Sequence, residues 1–119
     1  MTCETRIREE IVSVADSLFQ RGYTHGSTGN ISVPVEDWLL VTPTGASFGT
    51  LDPARLYKLD ANGRLLSGDS PTKESFLHRA VYMARQSAGA VIHLHGTHSV
   101  ALSCPVSYTH LTLPTILLV

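Results

Sequence analysis

The chain has 119 residues, the length of one ordinary domain, so a second independent core is not expected. Hydrophobic residues make up 43% and charged residues 16%, which fits a globular chain and argues against disorder. Nine Lys+Arg against ten Asp+Glu give a formal charge of -1, which excludes a general basic surface for nucleic acid but leaves room for a local anion pocket. Two cysteines, Cys3 and Cys104, are too few for a disulfide framework. With a charged N-terminus that lacks an apolar signal core, they lead to the expectation of a cytoplasmic protein.

Residues 4–21 read as an amphipathic helix, with Ile7, Ile11, Val14, Ala15, Leu18 and Phe19 at helical spacing and Gly22 as the stop. A small-residue loop, His25 to Asn30, leads into a strand from Ile31 to Val35. Glu36-Asp37 makes a turn, and Trp38 to Thr42 reads as the returning strand. Pro43 to Ser47 is a second small-residue loop, and Asp52-Pro53 marks a short helical turn, with Asp as cap and Pro at the first position. Tyr57–Asp60 and Arg64–Leu66 form a hairpin around Asn62-Gly63, a pair suited to a type I′ turn. Thr72 can cap a second helix with an apolar stripe of Leu77, Ala80, Val81 and Ala84, ended by Ser87-Ala88-Gly89. Ala90 to His95 is a short strand, and Thr97 onward begins a third helix. The pattern is mixed α/β with mostly antiparallel strands and no internal repeat.

All nineteen charged residues lie between Glu4 and Arg85, and none follows from Gln86 to Val119. That stretch is broken by Ser, Thr, His and two prolines, so no membrane span is expected. An uncharged, apolar end is unusual for a soluble domain: either something outside the chain buries it, or it stands apart from the fold.

His93-Leu94-His95 is the sharpest local feature. On a strand, residues i and i+2 share a face, so two imidazoles emerge side by side and can reach one divalent ion. The alternative is one buried and one exposed structural histidine. His98 adds a possible third nitrogen. Glu74 stands in the first turn of the second helix, where a carboxylate either complements the helix dipole or carries protons beside a metal. Lys73 opposes that dipole, a conflict that an anionic ligand would remove. His78, four residues after Glu74, is either its partner in a metal pair or a structural histidine, and the latter reading is favoured. The loops Ser27-Thr28-Gly29-Asn30 and Thr42-Pro43-Thr44-Gly45 offer hydroxyls and open backbone N–H groups, as phosphate nests do. Neither is a P-loop or a GxGxxG pattern. Cys3 and Cys104 are not credible nucleophiles, and Ser99 and Ser103 lack a triad.

Taken together, Gly26-Ser27-Thr28-Gly29-Asn30-Ile31-Ser32, Thr42-Pro43-Thr44-Gly45, Pro71-Thr72-Lys73-Glu74 and His93-Leu94-His95 resemble, in order and spacing, the class II aldolase/adducin family. The resemblance covers roughly residues 5–104. The wording of Thr42–Ser47, Leu66–Asp69 and His93–Ser99 is most similar to the branch of 3-oxo-tetronate 4-phosphate decarboxylases. It implies a three-layer α/β/α fold with a central, mostly antiparallel sheet, incomplete in this chain. It also implies a Zn2+ or other divalent ion held by His93 and His95, with Glu74 at the metal as the acid/base. Gly29, Asn30, Thr44, Gly45 and Thr72 would hold a phosphate, and Lys73 would meet the substrate carboxylate or phosphate.

The implied reaction turns a small sugar-acid phosphate into dihydroxyacetone phosphate and carbon dioxide through a metal-stabilised enediolate. No nucleic acid or membrane partner is implied, and the full-length assembly would be a homotetramer. Related alternatives are a sugar-phosphate aldolase, an epimerase or a dehydratase; a non-catalytic adducin-like module is the alternative from another class. The family's third zinc histidine has no counterpart here, since His110 sits in a different context. The resemblance stops at Cys104, so residues 1–104 are expected to form the N-terminal part of the domain. Residues 105–119 are expected to be a non-family tail of artefactual origin that leaves an inactive fragment.

Overall fold

A computed structural model describes residues 3–68 and 74–95, together with the backbone of 116–118. The helix α1 spans Cys3–Gln20 and buries Ile11 and Ala15, with Ile7, Val12, Leu18 and Phe19 packed around them. Val14, expected in that stripe, is exposed instead, and Val12 takes part in its place. The helix ends as the sequence implies: Gly22 adopts φ 78, and the Tyr23 and Gly22 amides donate to the carbonyls of Leu18 and Phe19. This is the Schellman pattern, which satisfies the last carbonyls and needs a residue without a side chain.

Six strands follow: β1 (Asn30–Val35), β2 (Trp38–Val41), β3 (Tyr57–Asp60), β4 (Leu65–Ser67), β5 (Val91–Leu94) and β6 (Ile116–Leu118). They form one antiparallel sheet in the order β4-β3-β2-β1-β5-β6. The second helix, α2, spans Ser75–Ala84. Between β2 and β3, short 3-10 turns begin at Ser47 and Asp52, whose side chains accept from the Gly49 and Ala54 amides. The Asp52 cap is the one the sequence announces.

Alternation along the strands sorts side chains between the two faces. Ile31, Leu40 and Leu94 point toward α1 and join Ile11, Ala15, Phe48, Leu51 and Leu56 in the main core. The opposite face carries Val41, Tyr57 and Leu59 as a smaller apolar cluster, and beside it the polar residues Asn30, Ser32 and His93. With α1 on one face and α2 on the other, the expected α/β/α layering is present.

Three local expectations change. The Asn62-Gly63 turn is not type I′, because only Gly63 takes a positive φ (84). Asp60 Oδ1 accepts from the amides of Asn62 and Arg64, so the side chain organises the turn and β4 starts at Leu65. The second helix begins one residue after Glu74, which occupies the N-cap position without a side-chain capping bond. Its stripe also rotates: Ala80 and Ala84 are exposed, and the buried residue is His78. Glu74, His78 and Tyr82, spaced by four, lie toward the polar part of the sheet, so hydrogen bonds rather than apolar contacts seat that face. The proposed cap Thr72 and the third helix after Thr97 lie outside the described residues.

Burial has an electrostatic consequence for His78. Desolvation, aided by His93 and opposed by Glu74, pushes its pKa from 6.5 down to about 4. The unfolded chain therefore binds a proton near pH 6.5 that the folded chain refuses until about pH 4. The stability this group contributes is complete above that window and is lost as pH falls through it, by about 1.4 kcal/mol per pH unit. In urea melts of the metal-free chain, His78→Gln should flatten the stability loss between pH 7 and 4.5 by on the order of 2–3 kcal/mol. An unchanged pH slope would show that His78 titrates normally in the fold.

Candidate metal and phosphate site

The site grows from the pairing of β1 with β5, in which Asn30 lies opposite His93 and Ser32 opposite Val91. Cross-strand partners share a face, so Asn30 and His93 emerge together beneath the start of α2. His95 follows two residues after His93, just beyond the strand end, and the two rings lie 5.2 Å apart at 31°. The expected common projection of the two imidazoles is therefore present.

Glu74 meets them from the helix. One nitrogen of His93, one of His95 and a carboxylate oxygen of Glu74 all lie within 4.8 Å of one another. His93 Nδ1 is 3.3 Å from Glu74 Oε2, yet this buried nitrogen has no hydrogen-bond partner among the described residues. A buried nitrogen without a partner is costly unless another group occupies its lone pair. Two imidazole nitrogens and one carboxylate oxygen are a donor set suited to Zn2+ and similar divalent ions, and three protein donors leave a coordination position open. The residues present fit a metal ion.

Glu74 is positioned by Asn30, whose Nδ2 donates to Oε2, while Asn30 Oδ1 faces His78 Nε2. The other ring nitrogen of His78 lies 2.6 Å from Ser32 Oγ, and Tyr82 Oη is 2.9 Å from the same hydroxyl and from the Ser32 carbonyl. With both ring nitrogens engaged, His78 is not a metal ligand, and the structural reading holds. The sequence assigns no role to Ser32 beyond its place in the Gly26–Ser32 string and none to Tyr82. The signal for them was the period: polar residues two apart on β1 and four apart on α2, each on the buried side.

Both small-residue loops border the same hollow. A cavity of about 380 Å³ is lined by Ser27, Thr28, Gly29, Asn30, Pro43, Thr44, Gly45, Glu74 and His95. The first loop is tied by its own threonines: Thr24 Oγ1 donates to the Thr28 carbonyl and Thr28 Oγ1 to that of His25, each at 2.7 Å. Thr42 joins the loops, its hydroxyl accepting from the Ile31 amide at 3.0 Å. Gly29, at φ 90, lies so close to β5 that a Cβ would stand 3.2 Å from the His93 carbonyl oxygen and 3.3 Å from Phe48. A larger hollow of about 750 Å³ lies at the far end of α2, by Trp38 and Arg79, and contains none of these donors. The structure thus gathers Gly29, Asn30, Thr44, Gly45, Glu74, His93 and His95, whereas Thr72, Lys73 and His98 lie outside the described residues. Among the described residues, no helix is long and apolar enough to cross a membrane.

Comparison with known proteins finds relatives in sequence and in fold. The crystal structure of YgbL from Escherichia coli superposes with a TM-score of 0.82 at 48% identity, covering 88% of this chain and 51% of that one. A 3-oxo-tetronate 4-phosphate decarboxylase of Cupriavidus necator is 50% identical over 103 residues, 87% of this chain and 48% of the relative. An L-fuculose phosphate aldolase of Escherichia coli is 33% identical over 98 residues, 82% of this chain and 46% of the relative. The chain thus spans about half the length of the curated relatives it matches. The family model described as the class II aldolase and adducin N-terminal domain matches residues 9–116, and the chain belongs to that family.

Proposed function

We propose that the whole protein to which this chain corresponds is a metal-dependent lyase that decarboxylates a 3-oxo-tetronate 4-phosphate to dihydroxyacetone phosphate. Residues 1–104 would contribute the N-terminal part of the domain. The observation that carries the reading is the meeting of Glu74, His93 and His95 beside a cavity walled by two glycine-containing loops. The greater likeness to the decarboxylase than to the aldolase, 50% against 33% identity, supports this reaction over aldol cleavage. By the family resemblance the protein works in the cytoplasm as a homotetramer.

In this reading His93, His95 and Glu74 hold a divalent ion, Zn2+ by preference. Bound there, the ion supplies Lewis acidity for the electrons left on the substrate when carbon dioxide departs. Gly29, Asn30, Thr44, Gly45 and Thr72 grip the phosphate through backbone N–H groups and hydroxyls, the Asn30 carboxamide being engaged by Glu74 and His78. That grip fixes the C1–C2 bond relative to the metal and converts binding into orientation. Lys73 meets the C1 carboxylate. As C1–C2 breaks, its electron pair passes into the C2–C3 enediolate, and Glu74 relays to C2 a proton taken up from solvent. The same electron sink would serve aldol cleavage, which is why an aldolase relative shares the constellation.

The roles separate experimentally in the full-length form. His93→Ala should lose the bound metal, as measured by elemental analysis after purification. Glu74→Gln should retain a measurable fraction of the metal but lower kcat by at least about a hundredfold, the usual scale of general acid–base catalysis. Normal metal content in the first variant, or near-normal turnover in the second, would remove that residue from its role. Lys73→Ala should weaken the 3-oxo acid phosphate by more than it weakens a plain ketose phosphate, read as kcat/KM. An equal loss on both would make Lys73 a phosphate contact.

A further inference from the structure

The metal reading assigns roles to Glu74, His93 and His95 but leaves a buried polar chain behind them unused. We infer that Ser32 and His78 are positioning residues that fix which way the Asn30 carboxamide faces, so that its NH2 group is held against Glu74. This inference rests on the proposed metal site for its purpose, though not for its geometry.

The two ends of the Asn30 side chain are chemically opposite: one oxygen accepts and one nitrogen donates. Turned by 180°, the amide would aim its oxygen at the Glu74 carboxylate, placing two acceptors together. Nothing within Asn30 selects between these orientations, so its surroundings must. His78 lies on the other side and faces Asn30 Oδ1 through Nε2. A neutral imidazole carries a single ring proton, to be placed on one of the two engaged nitrogens. The proton must sit on Nε2 if Oδ1 is to be satisfied, which leaves Nδ1 as an acceptor. Ser32 Oγ, 2.6 Å away, is the hydroxyl that donates to it. Tyr82 Oη, 2.9 Å from both Ser32 Oγ and the Ser32 carbonyl, supports the hydroxyl from its other side.

With the Tyr82 proton directed to Ser32 Oγ, the serine proton is left for His78 and donation runs one way along the chain. Ser32 donates to His78, His78 to Asn30, and Asn30 to Glu74. The carboxylate receives a fixed donor on Oε2, the oxygen that also faces His93. Partners behind a metal ligand that hold its orientation typically change affinity by about 10–100-fold when removed.

The test uses the 119-residue chain and two readouts, one independent of metal. Long-range 1H–15N correlation spectra of the metal-free chain at pH 7 should show His78 with its proton on Nε2. A proton on Nδ1 would overturn the inference. Titration with Zn2+ alone should show His78→Gln, whose amide can still donate to Asn30, within about twofold of the parent. His78→Phe should bind at least about tenfold more weakly. Equal affinity for Phe and Gln variants would overturn the inference. Ser32→Ala, which removes only a hydroxyl, provides a second arm should the Phe variant fail to fold: a mixture of His78 tautomers is expected, and an unchanged spectrum contradicts the chain of donors. If the parent takes up no Zn2+, the metal reading fails by itself, and the Nε2 proton in the parent still decides the orientation claim.

Discussion

The antiparallel pairing of β1 with β5 is the constraint from which the rest of the site follows. It places Asn30 opposite His93, and a one-residue slip of β5 against β1 would turn His93 to the α1 face. Ile31 and Ile92 prevent that shift, since they are partners in the same ladder and pack on the apolar face under α1. The hydrophobic core thus sets the register of a polar cluster on the other side of the sheet. The geometry of the candidate site and the packing of the core are consequences of one strand alignment.

The second helix illustrates a different balance. Its sheet-facing positions are Glu74, His78 and Tyr82, and its outward side carries Phe76 and Met83, which are 72% and 78% exposed. A helix seated through hydrogen bonds is held at defined points rather than by area. Each buried bond there is worth about 1 kcal/mol net, but breaking one costs more because it leaves its partner unsatisfied. Precision at Glu74 is obtained at the expense of the apolar burial that a helix of this composition could otherwise provide. The charged cluster on the α1 face acts differently. Glu4 joins Arg8 and Lys58, Lys58 sits 4.4 Å over the Trp38 ring, and Arg8 bonds the carbonyls of Pro53 and Leu56. These contacts fasten α1 to the connection before β3 and have no part in the site.

The glycine loops owe their usefulness to close approach. At Gly29 the left-handed backbone and the nearness of the His93 carbonyl exclude a side chain, so the loop can lie against β5 and bring Asn30 to the metal donors. Gly45 also has a positive φ but meets nothing within 4 Å, which leaves the second loop open toward the cavity. One loop is thereby part of the packed frame as well as the cavity wall, while the backbone of the other borders the cavity without such packing.

Much of this was legible in the residues. The helix α1 and its Gly22 stop, the strand boundaries around Glu36-Asp37, the Asp52 cap and the side-by-side imidazoles of His93 and His95 are local matters. They depend on spacing along the chain and on which backbone angles a residue accepts. The proximity of Glu74 to those imidazoles followed from resemblance to a family, because spacing along the chain cannot express a contact between a helix and a strand. The apolar stripe of α2 predicts the wrong face toward the sheet, because the sheet is polar there. Only the tertiary structure could decide that, and with it the engagement of both His78 nitrogens by Asn30 and Ser32. A side chain's chemistry is written at its own position, but the partner that satisfies it is chosen by how distant elements pack.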